Sequence, residues 1–105
     1  MINTMLELEL VDGTKVELTF NFAKLAKVKN YNKKLYAEFM EALKNKDFDI
    51  FFDSLKVLYV AYLCANTDKL KTKEVLSEDE FLELVPMDMV LINNLVAELI
   101  QPKKK

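Results

Sequence analysis

The chain has no histidine, no arginine, a single glycine and a single cysteine. Each absence removes a class of chemistry. Without histidine there is no ordinary general acid–base near neutral pH, and the commonest metal ligand is missing. Without arginine there is no planar fork to grip a phosphate or a guanine edge by two bonds at once. All 15 basic residues are lysines, which argues against sequence-specific reading of nucleic acid. The lone Cys64 excludes an intrachain disulfide, and its place in an apolar run reads as a small buried hydrophobe. The N-terminus shows no basic segment followed by an apolar core, so no secretory signal is expected. The longest apolar stretch, 57–65, falls well short of the roughly 20 residues that a membrane-spanning helix needs.

What is present points to one folded unit. The chain has 105 residues, 51% of them apolar and 30% charged, a balance that suits a globular domain and not a disordered chain. A net charge of −2 gives no strong pull toward polyanions. The expected organisation is a single domain over 1–102 with a solvated lysine tail at 103–105.

The segment "MLELELVDGTKVELTF" alternates with period two. Leu6, Leu8 and Leu10 interleave with Glu7 and Glu9, then Val16, Leu18 and Phe20 with Glu17 and Thr19. That is a hairpin signal. A two-residue loop at Asp12–Gly13 would set Leu8 against Glu17 and mix the two faces. A three-residue loop, Val11-Asp12-Gly13, sets Leu8 against Val16 and Leu6 against Leu18, keeping the apolar face whole. It also puts the only glycine at the left-handed position of a bulged turn. A lone hairpin is marginal in water, so its leucine face must pack on helices or pair with another chain.

Helical patterns follow. Asn21 is placed to cap "FAKLAKVK", with Phe22, Leu25 and Ala26 on one side. "YNKKLYAEFMEALKN" sets Leu35, Tyr36, Phe39, Met40 and Leu43 on one face. Asn30 and Asn32 separate the two patterns or bend one helix. Asp47 is a candidate cap for the next helix, over 48–66, and "TDKLKTKEVL" reads as a loop with a turn of helix. "SEDE" at 77–80 is a capping box that opens a short helix through Leu84. Pro86 breaks or restarts the helix. The last helix places Met89, Ile92, Leu95, Val96 and Leu99 on its main face, and Pro102 ends it. The fold class is α+β: an N-terminal antiparallel hairpin followed by a bundle of four or five helices.

The stretch "FDIFFDSLKVLYVAYLCAN" is apolar on too many sides for a surface helix. Asp49, Asp53 and Lys56 make a thin charged stripe in its first half only. Two explanations compete. It is a central helix covered on all sides, or one face packs the core and another meets a second molecule. The last helix also spreads apolar residues beyond one face, and a small domain has few places to hide both.

Other clusters read blandly. Glu78, Asp79, Glu80 and Glu83 sit where acids favour a helix N-terminus, and no EF-hand spacing accompanies them. Lys24, Lys27, Lys29, Lys33 and Lys34 form a basic strip without interleaved aromatics, which favours a solvated face over nucleic-acid contact. Lys69, Lys71 and Lys73 read the same way. With no phosphate-cradling loop and no nucleophile–base pair, the expectation is no enzyme, no cofactor and no metal.

A strand that runs straight into a lysine-bearing helix ("VELTFNFAKLAKV"), an aromatic-rich helix ending "LYVAYLCAN" and a proline-marked final helix occur in this order over Leu6 to Ile100. In that order and size the chain resembles the tail assembly chaperones of siphophages and prophages of Gram-positive bacteria. The resemblance lies in overall pattern and carries no catalytic residue. It implies a non-enzymatic protein of the host bacterial cytoplasm that coats the helical tape measure protein until tail tube subunits replace it, and it implies a homo-oligomer. Such families often make a longer product by ribosomal frameshifting, and "PKKK" at 102–105 is compatible with an A-rich slippery run. On this reading Phe51, Leu55, Leu58, Tyr59, Tyr62, Ile92 and Val96 are the expected partner-binding residues, in a helix-in-groove mode. The alternative is a small mobile-element adaptor or regulator that contacts nucleic acid through the Lys24–Lys34 strip.

Overall fold

The computed structural model describes residues 5–44 and 52–100. Among them lie two strands, β1 (Leu6–Glu9) and β2 (Lys15–Leu18), and five helices. The helices are α1 (Phe22–Tyr31), α2 (Lys33–Lys44), α3 (Phe52–Cys64), α4 (Glu78–Leu84) and α5 (Met89–Ile100), with a 3-10 turn at Thr67–Lys69 between α3 and α4. The α+β class is as the sequence indicates. The expected cap at Asp47, the charge at Asp49, the site residue Phe51, Pro102 and the lysine tail lie outside the described residues.

The hairpin adopts the three-residue loop. Leu6 faces Leu18, Leu8 faces Val16 and Glu9 faces Lys15. The Leu10 N–H donates to Thr14 O at 2.7 Å and the Gly13 N–H to Leu10 O at 2.9 Å, with Gly13 at φ 90°. A side chain there would have open space around it, so glycine is required by the backbone angle and not by crowding. Asp12 Oδ1 accepts the Thr14 N–H at 2.9 Å, and that bond holds its carboxyl below the usual range. Leu8, Leu10 and Leu18 are buried, while Glu7, Glu9 and Glu17 are exposed.

Asn21 caps α1, its side chain accepting the Lys24 N–H at 3.1 Å. Asn32 ends that helix with an extended backbone (φ −152°), its N–H still bonded to Val28 O. Its side chain then caps α2 by accepting the Leu35 N–H at 3.0 Å. One asparagine therefore resolves the sequence ambiguity in favour of two helices. The inward face of α1 is also shifted from expectation. Val28 is buried and Leu25 half-buried, whereas Ala26 is exposed and Phe22 is 92% exposed. On α2, Leu35, Phe39 and Ala42 are buried, and Leu43 points outward. The face is thus rotated slightly toward the smaller side chain, which permits close approach to α3.

The helix α3 is the axis of the molecule. It lies against α1, α2, α4, α5 and β2. From Val57 to Cys64 every residue is buried. The competition between central helix and shared face is therefore settled for this segment by the chain's own elements. The capping box at Ser77 forms in both directions: Ser77 Oγ accepts the Glu80 N–H, and Glu80 Oε1 accepts the Ser77 N–H. After Pro86, Asp88 caps α5 through the Leu91 N–H at 3.1 Å. On α5, Ile92 and Val96 are buried and Met89, Leu95 and Leu99 are half-buried, so its main face is the expected one.

Candidate functional site

Of the residues expected at a partner surface, those that the structure describes are brought together inside the molecule. Leu58, Tyr59, Tyr62, Ile92 and Val96 belong to one buried cluster, and Leu55 packs against its margin. In this structure they supply core, and their side chains are not open to a partner. The physical reason is that α4, α5 and the hairpin close over α3, so the broad apolar face is consumed by intrachain packing.

Two of these residues have a specific structural task. The Tyr59 hydroxyl donates to Leu76 O at 2.9 Å, and the Tyr62 hydroxyl accepts the Leu76 N–H at 2.8 Å. Asn66 Nδ2 donates to Tyr62 O at 2.8 Å. Together they clamp the connection between α3 and α4 onto the central helix. The two rings also meet Phe81 of α4, at centroid distances of 5.5 and 5.1 Å. Such offset aromatic contacts add about 0.5–1.5 kcal/mol each beyond area burial. Burial raises the Tyr59 phenol well above its ordinary value. It also raises Tyr62, against the opposing pull of the bond from Leu76. Burial pushes the Cys64 thiol up to about 12, so this cysteine is a core residue and not a nucleophile. The spacing of Tyr59 and Tyr62, three apart on a helix, signals one shared face. That both would hold the same residue, Leu76, in the connection that follows is not legible from spacing.

The charged stripe of α3 is also recruited across elements. Lys56 Nζ lies 2.9 Å from Glu38 Oε1 on α2 and 2.7 Å from Glu78 Oε2 on α4. Burial alone would lower the lysine, but the two carboxylates outweigh it and raise it. The bond from Lys56 in turn holds the Glu38 carboxyl below its ordinary value. Glu78 thus serves the α2–α3–α4 junction as well as the first turn of its own helix. A recess of about 680 Å³ beside this junction is lined by Glu38, Glu41, Lys44, Asp53 and Lys56 among others.

The accessible apolar side chains lie elsewhere. Met87 is 88% exposed, Val90 71% and Val11 63%. The Val11 N–H donates to Leu84 O at 2.9 Å, which ties the hairpin turn to the end of α4, just where the chain turns into α5. These three residues therefore flank one junction. On α1, Phe22 and Tyr31 are also exposed, at opposite ends and on opposite sides of the helix, and Lys27 and Lys29 are exposed between them. Two exposed aromatics therefore accompany the lysine strip; that Phe22 stands in water and not on the packed face is visible only in the fold. Among the described residues no group of His, Cys, Asp and Glu is arranged to hold a metal ion, and no helix is long and apolar enough to cross a membrane. Comparison with protein-family models, curated proteins and solved structures gives no match.

Proposed function

We propose that this chain is a non-enzymatic tail assembly chaperone of a siphophage or prophage, acting in the host bacterial cytoplasm. It binds the tape measure protein, keeps it soluble, gives way to tail tube protein and self-associates. The reading rests on the order and size of the elements that the sequence shares with that family. The observation that carries it at the level of surface is the junction of Val11, Met87 and Val90, where three apolar side chains stand in water. The client-binding residues proposed here are these three, in place of the buried Tyr59 and Ile92.

Co-expression with the tape measure protein encoded in the same element tests the reading. The client should become soluble and copurify, and the double variant Met87→Glu/Val90→Glu should lose it while remaining folded. A client that stays insoluble, or that copurifies equally with the double variant, overturns the respective part of the proposal.

A second reading is favoured by one observation. The segment 22–37 carries five lysines and no acid, and its Phe22 and Tyr31 are exposed. Stacking aromatics beside lysines suit single-stranded nucleic acid. Binding that weakens steeply with salt and is lost in Phe22→Ala would favour this adaptor reading over the chaperone.

A further inference from the structure

The hairpin is a two-stranded sheet whose two outer edges differ. β2 lies against α3, and the Thr19 N–H just beyond it donates to Ala61 O at 3.3 Å. β1 has a substantial interface with β2 alone. The register and the Leu10–Thr14 bond fix which backbone groups point where. Bonded pairs alternate along an antiparallel ladder, so Leu6, Leu8 and Leu10 bond inward to β2. The N–H and C=O groups of Glu7 and Glu9 therefore point outward. Val11, next in the same row, shows what they are ready for: its N–H is taken by Leu84 O. Glu7 and Glu9 have no such partner among the described residues.

The side chains select what can pair there. Glu7 stands directly opposite Glu17 in a non-bonded pair, where side chains are closest. Like charges in that position are unfavourable. Glu9 faces Lys15. A second copy adding through the same edge would bring Glu7 and Glu9 against their own equivalents, which repels it. A lysine on an incoming strand would instead extend the Glu7–Glu17 row to three residues with a cation at one end. On the other face, an incoming side chain would meet half-buried Leu6.

We propose that the outer edge of β1 accepts, as a third strand, an extended segment of another protein in which lysine alternates with apolar residues. The backbone of Glu7 and Glu9 supplies the hydrogen bonds and their carboxylates supply the selectivity. This goes beyond the client binding proposed at the α4–α5 junction and uses a different part of the molecule.

The test uses a short fluorescent peptide alternating valine with lysine, and a counterpart alternating valine with glutamate. Anisotropy should show binding of the first only, and amide NMR should place the perturbed and newly protected N–H groups at Glu7 and Glu9. Glu7→Lys, which turns the Glu7–Glu17 clash into an attractive pair and so preserves the hairpin, should weaken the lysine peptide by about tenfold and admit the glutamate peptide. Glu9→Pro, which deletes an outward N–H and no ladder bond, should abolish both. Absent binding, binding indifferent to Glu7→Lys, or perturbed amides outside β1 would overturn the proposal. Self-association of the free protein that protects the same amides would assign the edge to a second copy, and would overturn it as well.

Discussion

The helices α3 and α5 look alike in sequence, both apolar beyond a single face, yet they end in different surroundings. From Val57 to Cys64, α3 is buried without interruption. In α5 only Ile92 and Val96 are buried, and Val90 stands 71% exposed. The difference comes from topology. Five elements surround α3, whereas the principal neighbour of α5 is α3 alone. Apolar content predicts that a helix must be covered. It does not say by what, and the last helix of a small bundle is where the supply of covering elements ends.

The largest test of this contrast is the same exchange made on both helices. Val60→Asp places a carboxylate where no face reaches water, and should cost more than about 4 kcal/mol, enough to abolish folding. Val90→Asp should change stability by no more than about 0.5 kcal/mol, since it lies exposed in the first turn where an acid is tolerated. Urea unfolding followed by circular dichroism compares them; equal losses would mean that α5 is covered in solution.

Titration separates the same regions. Tyr59, Tyr62 and Cys64, all on α3, have raised pKa values. The unfolded chain loses these protons at ordinary values, 9.0 for the thiol and 10.0 for the phenols. Their contribution to stability is therefore complete below pH 9.0 and declines as pH rises toward the folded values. Each group steepens the loss by up to about 1.4 kcal/mol per pH unit. Thermal unfolding between pH 8 and 11 should show the decline, and Cys64→Ala should make it shallower and delay its onset.

The clamp on Leu76 gives a smaller effect with a sharper readout. Tyr62→Phe orphans the Leu76 N–H and Tyr59→Phe orphans its C=O, each costing about 1–2 kcal/mol. Hydrogen exchange at the Leu76 amide should accelerate in Tyr62→Phe far more than in Tyr59→Phe; equal acceleration would mean that the loop detaches as a unit. Smallest is the Lys56 bridge, where Lys56→Met should cost less than about 1 kcal/mol because Glu38 is well exposed. The lowered Glu38 carboxyl contributes stability above its ordinary 4.5, lost as pH falls through the folded value. The difference between wild type and variant should therefore shrink in acid.

Much of the fold was legible because local chemistry and burial agree. The hairpin register followed from keeping leucines on one face, and the caps at Asn21 and Ser77 from their side chains. The inward faces of α1 and α2 were less legible. Phe22 and Leu43 are large and apolar, but Val28 and Ala42 take the packed positions. Periodicity locates a face to within one side chain, whereas close helix approach chooses among neighbours by size. The candidate site was the least legible part. The sequence ranks residues by stickiness, and the stickiest, around Tyr59, are those the fold hides first. The exposed Met87, Val90 and Phe22 are unremarkable until the neighbours that fail to cover them are known.

Asn32 also decides the length of the molecule. A single unbroken helix over 22–44 would run about 34 Å at 1.5 Å per residue. The whole Cα trace measures 33 × 31 × 27 Å. A rod of that length would fill the longest dimension of the body by itself. By terminating one helix and starting another within a single residue, Asn32 folds a rod into an elbow. An alanine there would leave the first turn of α2 without its side-chain cap, a loss of about 1 kcal/mol at the corner of the elbow.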